Sequence, residues 1–180
     1  MNPGEARTIG VALAIPDPFG SALQHIRERY GDPLVRSIPT HVTLLPPTTV
    51  DADLLPEIEE HLSAVASANE PFQVRLRGTA TFRPVSPVVF LVLSEGVAGC
   101  ERLENAVRSG VLWRPLHFHY HPHVTVAHDL PEPVLDAVLA DLAGYEADFL
   151  ASGFRLYEHV DGDWKPRRDF SLDGPSHLLG

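Results

Sequence analysis

The chain has 180 residues, of which 44% are hydrophobic and 21% are charged, a composition that is ordinary for one soluble domain with a full hydrophobic core. Its formal charge is −10, from 14 basic and 24 acidic residues. This charge argues against an extended nucleic-acid surface, because most of the protein would repel a phosphate backbone. Any phosphate that binds here should belong to a small molecule or to the end of a chain.

The sequence predicts a cytoplasmic, monomeric protein without a membrane span. The longest apolar run, near residues 85–93, is far shorter than the ~20 residues that a spanning helix needs, and Pro87 interrupts it. The first residues lack the basic start and the apolar run of a signal peptide. The single cysteine, Cys100, cannot form an internal disulfide, which agrees with a reducing compartment.

Hydrophobic periodicity and turn residues predict an alternation of strands and helices. In the first half of the chain we expect a strand at 8–15, a helix at 19–30, a strand at 38–45, a helix at 51–68, and strands at 72–77 and 88–93. In the second half we expect a helix at 96–111, a strand after the aromatic and histidine-rich stretch 113–120, a helix at 132–142, and strands at 146–150, 153–160 and 164–172. Pro46 and Pro47 are expected to end the second strand, because proline cannot donate to a sheet ladder.

This element order predicts an α+β fold made of a duplicated, pseudo-symmetric, two-lobed unit, with antiparallel-rich sheets flanked by helices. We expect residues 1–180 to form a single domain of this kind. Each half would supply one of two related strands. The cleft between the lobes would then be the ligand site, because clefts between lobes commonly bind ligands.

The two related strands carry the same short motif. His41-Val42-Thr43-Leu44 recurs as His123-Val124-Thr125-Val126, with a proline shortly before each copy. Because successive side chains of a strand point to opposite faces, the histidine and the threonine of each copy should share one face, roughly 7 Å apart. The aliphatic residues of each copy are left to pack into the core.

Two imidazoles and two hydroxyls around one pocket suit the cleavage of a phosphodiester. The ordinary histidine pKa of ~6.5 allows one ring to act as a base while the other acts as an acid near neutral pH. Threonine hydroxyls can donate hydrogen bonds to phosphate oxygens. We therefore predict that His41 and His123 are catalytic and that Thr43 and Thr125 bind the phosphate.

Residues 41–44 and 122–127 resemble the paired His-x-Thr-x motifs of the two-histidine phosphoesterase superfamily, which includes the RNA 2′,3′-cyclic phosphodiesterases, also called 2′-5′ RNA ligases. The resemblance implies an enzyme without metal or cofactor that hydrolyses 2′,3′-cyclic phosphates of nucleotides or RNA ends, and whose reverse reaction would be 2′-5′ ligation. It also implies that His41 is the acid and His123 the base, an assignment that the sequence alone does not decide.

The chain departs from this family pattern after each motif. Many relatives have an arginine after the second motif, where this chain has His128, and often Phe-Leu-Gly after the first, where this chain has Leu45-Pro46-Pro47. These departures concern the substrate more than the chemistry. Given the acidic charge, we expect mononucleotide or short cyclic-phosphate substrates to be processed about as well as long RNA.

Four more residues are candidates for substrate binding. Arg83 could hold a phosphate, and the neighbouring Phe82, like Tyr120, could stack on a base. His128 lies beyond His123 at an odd spacing, so an unbroken strand would turn it to the other face. A bulge or the end of the strand would be needed to bring it to the site.

Two other functions remain open. His117, His119, His121 and His123 alternate with other residues, and a strand would place all four rings on one face as the start of a metal-dependent hydrolase site. That reading leaves the recurrence of the motif at His41 unexplained. The other alternative is a module that binds a nucleotide without turnover, although binding alone would not require a matched acid and base.

Overall fold

The computed structural model describes residues 4–175, which form an α+β fold of eight strands and four α-helices. The strands are β1 (Ala6–Ala14), β2 (His41–Asp51), β3 (Phe72–Thr81), β4 (Val88–Glu95), β5 (His123–His128), β6 (Glu146–Ala151), β7 (Gly153–Val160) and β8 (Asp163–Ser171). The helices are α1 (Phe19–Tyr30), α2 (Leu55–Ala68), α3 (Val97–Val107) and α4 (Glu132–Asp141). Short 3₁₀ turns occupy Ala52–Leu54 and Gly110–Leu112.

The eight strands form one sheet in the order β6-β3-β4-β5-β2-β1-β7-β8, in which neighbouring strands pair antiparallel. The motif strands β2 and β5 therefore lie side by side at its centre. The units β1-α1-β2 and β4-α3-β5 share the same order of elements, which confirms the predicted duplication. The two halves nevertheless share one continuous sheet, and the half that contains β2 takes its outer strands from the end of the chain.

The second strand is longer than the sequence predicts. The prediction that Pro46 and Pro47 end it is wrong, because β2 continues to Asp51 and pairs with β1 on both sides of the prolines. The register shifts at this point, so that the two prolines lie opposite the single residue Gly10. A bulge of this kind accommodates residues that cannot donate to the ladder.

The core lies on the sheet face opposite to the motif histidines and threonines. Val42, Leu44, Val124 and Val126 are all 1% exposed or less. Helices cross the centre of the sheet to cover them, since α1 contacts β5 and α3 contacts β2. Within residues 4–175, no helix has both the length and the apolar character needed to cross a membrane.

Candidate active site

The register of the central strands brings the two motifs together. Val42 and Val124, the middle residues of the motifs, are Cα partners in the antiparallel pair β2–β5. The same register sets each motif histidine opposite the threonine of the other motif, within reach of direct cross-strand contact. The side chains that share this face are those of His41, Thr43, His123 and Thr125.

Each motif ends in a β-bulge at its fourth residue, so the structural repeat extends beyond the sequence motif. The extra residue is Leu44 in β2 and Val126 in β5. In both strands the bulge residue and its successor are buried, so the alternation of faces shifts by one position. Pro46 in β2 and His128 in β5 therefore return to the face that carries the motif histidines.

Both catalytic candidates are oriented by the same type of main-chain hydrogen bond. Nδ1 of His41 lies 2.7 Å from the carbonyl oxygen of Pro39, and Nδ1 of His123 lies 2.7 Å from the carbonyl oxygen of His121. A carbonyl oxygen can only accept, so Nδ1 carries the proton in each neutral ring. Nε2 is thereby left as the ring nitrogen that is free of a proton in the neutral form.

His41 is held as a neutral ring near neutral pH. Burial lowers the pKa of His41 to about 4, with smaller contributions in the same direction from Arg27 and His123, against the opposing hydrogen bond to Pro39. Nε2 of His41 lies 3.2 Å from Oγ1 of Thr43, which can donate to it. The ring and the hydroxyl of the first motif are therefore already in contact before a ligand binds.

Aromatic rings surround His123. Phe82 stacks on Phe90 with ring centroids 4.3 Å apart, and the two rings meet the imidazole of His123 at 5.0 and 5.3 Å. Burial among these apolar rings lowers the pKa of His123. The hydrogen bond to the His121 carbonyl raises this pKa, and the charge of the His121 ring lowers it, both by less than burial does. Phe82 therefore lies at the site, where its ring packs against the imidazole of His123.

Tyr120 and His128 lie near the motifs with different contacts. The Tyr120 hydroxyl donates to the carbonyl oxygen of Thr43 at 2.8 Å, which ties the segment before β5 to β2. Burial raises the pKa of Tyr120, so the hydroxyl remains a donor. His128 reaches the motif face through the bulge, but its Nε2 lies 3.2 Å from a carboxylate oxygen of Asp129 and it is not part of the cavity lining described below.

Arg83 is directed away from the motifs. Its Nη1 donates to Glu132 at 2.6 Å and to Asp136 at 2.9 Å, both on α4, and its Nε donates to Thr81. Two carboxylates neutralise the guanidinium, and Arg83 does not line the cavity. The structure therefore does not place Arg83 where the predicted phosphate contact requires it.

A cavity of about 810 Å³ opens at His123 and Thr43. It is bounded by β2 beyond its motif, by the turn at 82–86, by the end of α3 and by residues 114–121. The arginines in its lining are Arg108 and Arg114, neither of which was predicted from the sequence. The signal that could have found Arg114 is its position in the aromatic and histidine-rich run before the second motif.

That run is not a strand. β5 begins only at His123, and residues 113–122 form no regular structure. The alternative of a metal site built from His117, His119, His121 and His123 on one strand face therefore lacks the strand that it requires. In the part of the chain that the structure describes, no three His, Cys, Asp or Glu side chains are grouped in a way that could hold a metal ion.

A buried ion pair anchors the loop that leads into the first motif. Arg27 is 4% exposed, and its Nε donates to Asp32 at 2.6 Å. Its Nη1 donates to the carbonyl oxygen of Ile38 at 3.0 Å and to the hydroxyl of Thr40 at 3.2 Å. These bonds lie on both sides of the carbonyl group that orients His41, so Arg27 positions that group.

An α+β fold with two His-x-Thr strands paired at the centre of its sheet is the architecture of a two-histidine phosphoesterase. A model of the 2′-5′ RNA ligase superfamily matches residues 15–163. The chain belongs to this superfamily.

Individual relatives match over nearly their whole length. A Geobacillus kaustophilus protein that is provisionally named a phosphoesterase is 25% identical over 168 residues, covering 92% of this chain and 96% of the relative. A Bacillus licheniformis protein with a name of the same kind is 29% identical over 166 residues, covering 91% and 97%. The solved structure of E. coli LigT complexed with 3′-AMP has the same fold, with a TM-score of 0.68, 24% identity, and coverage of 93% of this chain and 99% of LigT.

Proposed function

We propose that the protein is a metal-independent cyclic phosphodiesterase that hydrolyses 2′,3′-cyclic phosphates of nucleotides or RNA ends. The observation that carries this proposal is the register of β2 and β5, in which two imidazoles and two hydroxyls alternate around one point of the sheet face. The LigT complex adds support, since 3′-AMP carries a phosphate on one of the two ribose oxygens that a 2′,3′-cyclic phosphate bridges.

In the proposed reaction, His123 takes a proton from water as the water attacks in line. His41, which the bound phosphate anion keeps protonated, gives a proton to the departing 3′-oxygen, so the phosphate stays on the 2′-oxygen. Thr43 and Thr125 donate hydrogen bonds to the non-bridging oxygens, where negative charge increases in the transition state. The Nδ1 hydrogen bonds keep Nε2 as the reacting atom of both rings. With an RNA 5′-hydroxyl in place of water, the same groups would form a 2′-5′ linkage.

Incubation with nucleoside 2′,3′-cyclic phosphates, with and without a chelator, tests the proposal. We expect nucleoside monophosphate to form at the same rate in both cases, because neither proton transfer uses a metal. A doubly substituted protein, His41→Ala with His123→Ala, is the control for contaminating phosphodiesterases. Binding without turnover would instead identify a nucleotide-binding module, and turnover that the chelator abolishes would identify a metal-dependent hydrolase.

The pH profile of kcat/KM should be a bell on the acid side of neutrality. This parameter reports the free enzyme, in which the pKa of His41 is lowered to about 4 and that of His123 is lowered below 6.5. A histidine with a lowered pKa becomes neutral at a lower pH. The active form, with one charged and one neutral ring, is therefore lost as the pH rises past the higher of the two histidine pKa values. Below the lower of the two pKa values, both rings are protonated and no base remains.

The profile of kcat should lie at higher pH than that of kcat/KM, because a bound phosphate anion favours the protonated form of a neighbouring imidazole. Initial rates between about pH 3.5 and 9 give both profiles, and the two apparent pKa values belong to the coupled pair. A single rising limb would contradict paired acid and base catalysis. It would point to a lone base or to a metal-bound hydroxide.

A further inference from the structure

Exposed apolar side chains line the mouth of the cavity. Val85 is 85% exposed, Phe118 is 80% exposed and Leu116 is 51% exposed, and all three belong to the cavity lining. Exposed apolar groups that cluster at the rim of a cavity mark a binding surface, because folding alone would bury them. The motif chemistry uses none of these three residues.

The cavity lining carries one more positive than negative side chain although the protein is acidic. Its charged lining residues are Arg108, Arg114 and Glu104, whereas the whole chain has a formal charge of −10. Arg108 is paired with Glu104 at 2.9 Å. Within residues 4–175, the hydrogen bonds of Arg114 go to the main-chain carbonyls of Val111 and Trp113, so its charge is available to an anion.

The cavity also has room for more than the reacting nucleotide. Its volume of about 810 Å³ lies towards the upper end of the roughly 300–1,000 Å³ typical of small-molecule sites. It is continuous with His123 and Thr43, so a group that fills it can be covalently attached to the phosphate at the motifs. The segment that forms its outer wall alternates Leu116 and Phe118 with histidines, next to Arg114.

We infer that this part of the cavity binds the nucleotide on the 5′ side of the cyclic phosphate, with its base on Phe118 and its phosphate on Arg114. A guanidinium suits a phosphate because it donates two parallel hydrogen bonds. An aromatic ring accepts any base, since every base has a π-face, and Val85 and Leu116 shield its edges. The inference rests on the proposed function. It makes RNA ends of at least two nucleotides better substrates than nucleoside 2′,3′-cyclic phosphates, contrary to the expectation from the acidic charge alone.

Binding of hydrolysis products separates this inference from the proposed function. Calorimetry on the unmodified protein should show that the dinucleotide ApAp, with its terminal phosphate on the 2′-oxygen, binds at least about tenfold more tightly than 2′-AMP, through one stacking contact and one additional phosphate contact. Equal affinities would overturn the inference and leave the proposed function intact. The proposed function itself fails only if the turnover assay with nucleoside 2′,3′-cyclic phosphates shows no hydrolysis.

Two variants test the named residues. Arg114→Met and Phe118→Ala should each remove most of the advantage of ApAp and leave the affinity for 2′-AMP unchanged. Arg29→Met and Leu150→Ala are matched controls, because both residues are exposed and lie outside the cavity lining. Unchanged ApAp binding in both test variants would show that the second nucleotide does not bind there.

A dinucleotide that lacks the 5′ base separates the two contacts. Its binding should still weaken in Arg114→Met but should no longer respond to Phe118→Ala. If Phe118→Ala weakened its binding as strongly as that of ApAp, the assignment of Phe118 as the stacking surface would be wrong.

Discussion

Replacing His41 or His123 by alanine should lower kcat for 2′,3′-cyclic phosphate hydrolysis by about 10²- to 10⁴-fold, which is the usual contribution of a positioned proton-transfer group. The double variant should be little slower than the slower single variant, because both rings act in the same transition state. Steady-state rates for the three variants and the unmodified protein measure this non-additivity.

His25→Ala is a suitable control for this series, since His25 is an exposed histidine of α1. It should keep the full rate. Thermal unfolding of each variant separates lost chemistry from lost folding. Full activity in either His41→Ala or His123→Ala would disprove the paired-histidine mechanism.

Replacing Arg27 by methionine should destabilise the protein by about 3–5 kcal/mol, because it leaves the carboxylate of Asp32 buried without its charged partner. Asp32 is 2% exposed, so water cannot replace the guanidinium. The free energy of unfolding, measured by urea titration, gives the size of the loss. Adding Asp32→Asn should recover part of it, since the uncompensated charge is then removed.

The activity of Arg27→Met should fall as well, and Asp32→Asn should not restore it. The bonds from Arg27 to Ile38 and Thr40 hold the loop that orients His41, and neither returns in the double variant. Arg75→Met is the control, because Arg75 pairs with Asp148 at the exposed surface of the sheet, where water screens the ion pair. If Arg27→Met cost no more stability than Arg75→Met, the anchoring role of Arg27 would be wrong.

The sequence predicts elements well where local signals are strong. The predicted helix at 19–30 and strand at 153–160 coincide with α1 and β7. The side chain of Asp17 accepts the main-chain N–H of Ser21 at the start of α1, and Gly31 ends the helix with a φ of +78°, which favours glycine. The extension of β2 past Pro46 has no such local signal, because it depends on pairing with β1.

The sequence by itself determined which side chains the motifs present together. Strand alternation is a local property, and it places the histidine and threonine of each motif on one face of the strand and the valine between them on the other. Only the tertiary structure decided what surrounds them. Arg83 pairs with carboxylates 49 and 53 residues away, and an arginine 13 residues before Thr40 holds the first motif loop. Such partners depend on the packing of segments that are distant in the chain, whereas periodicity reports only which face a residue occupies.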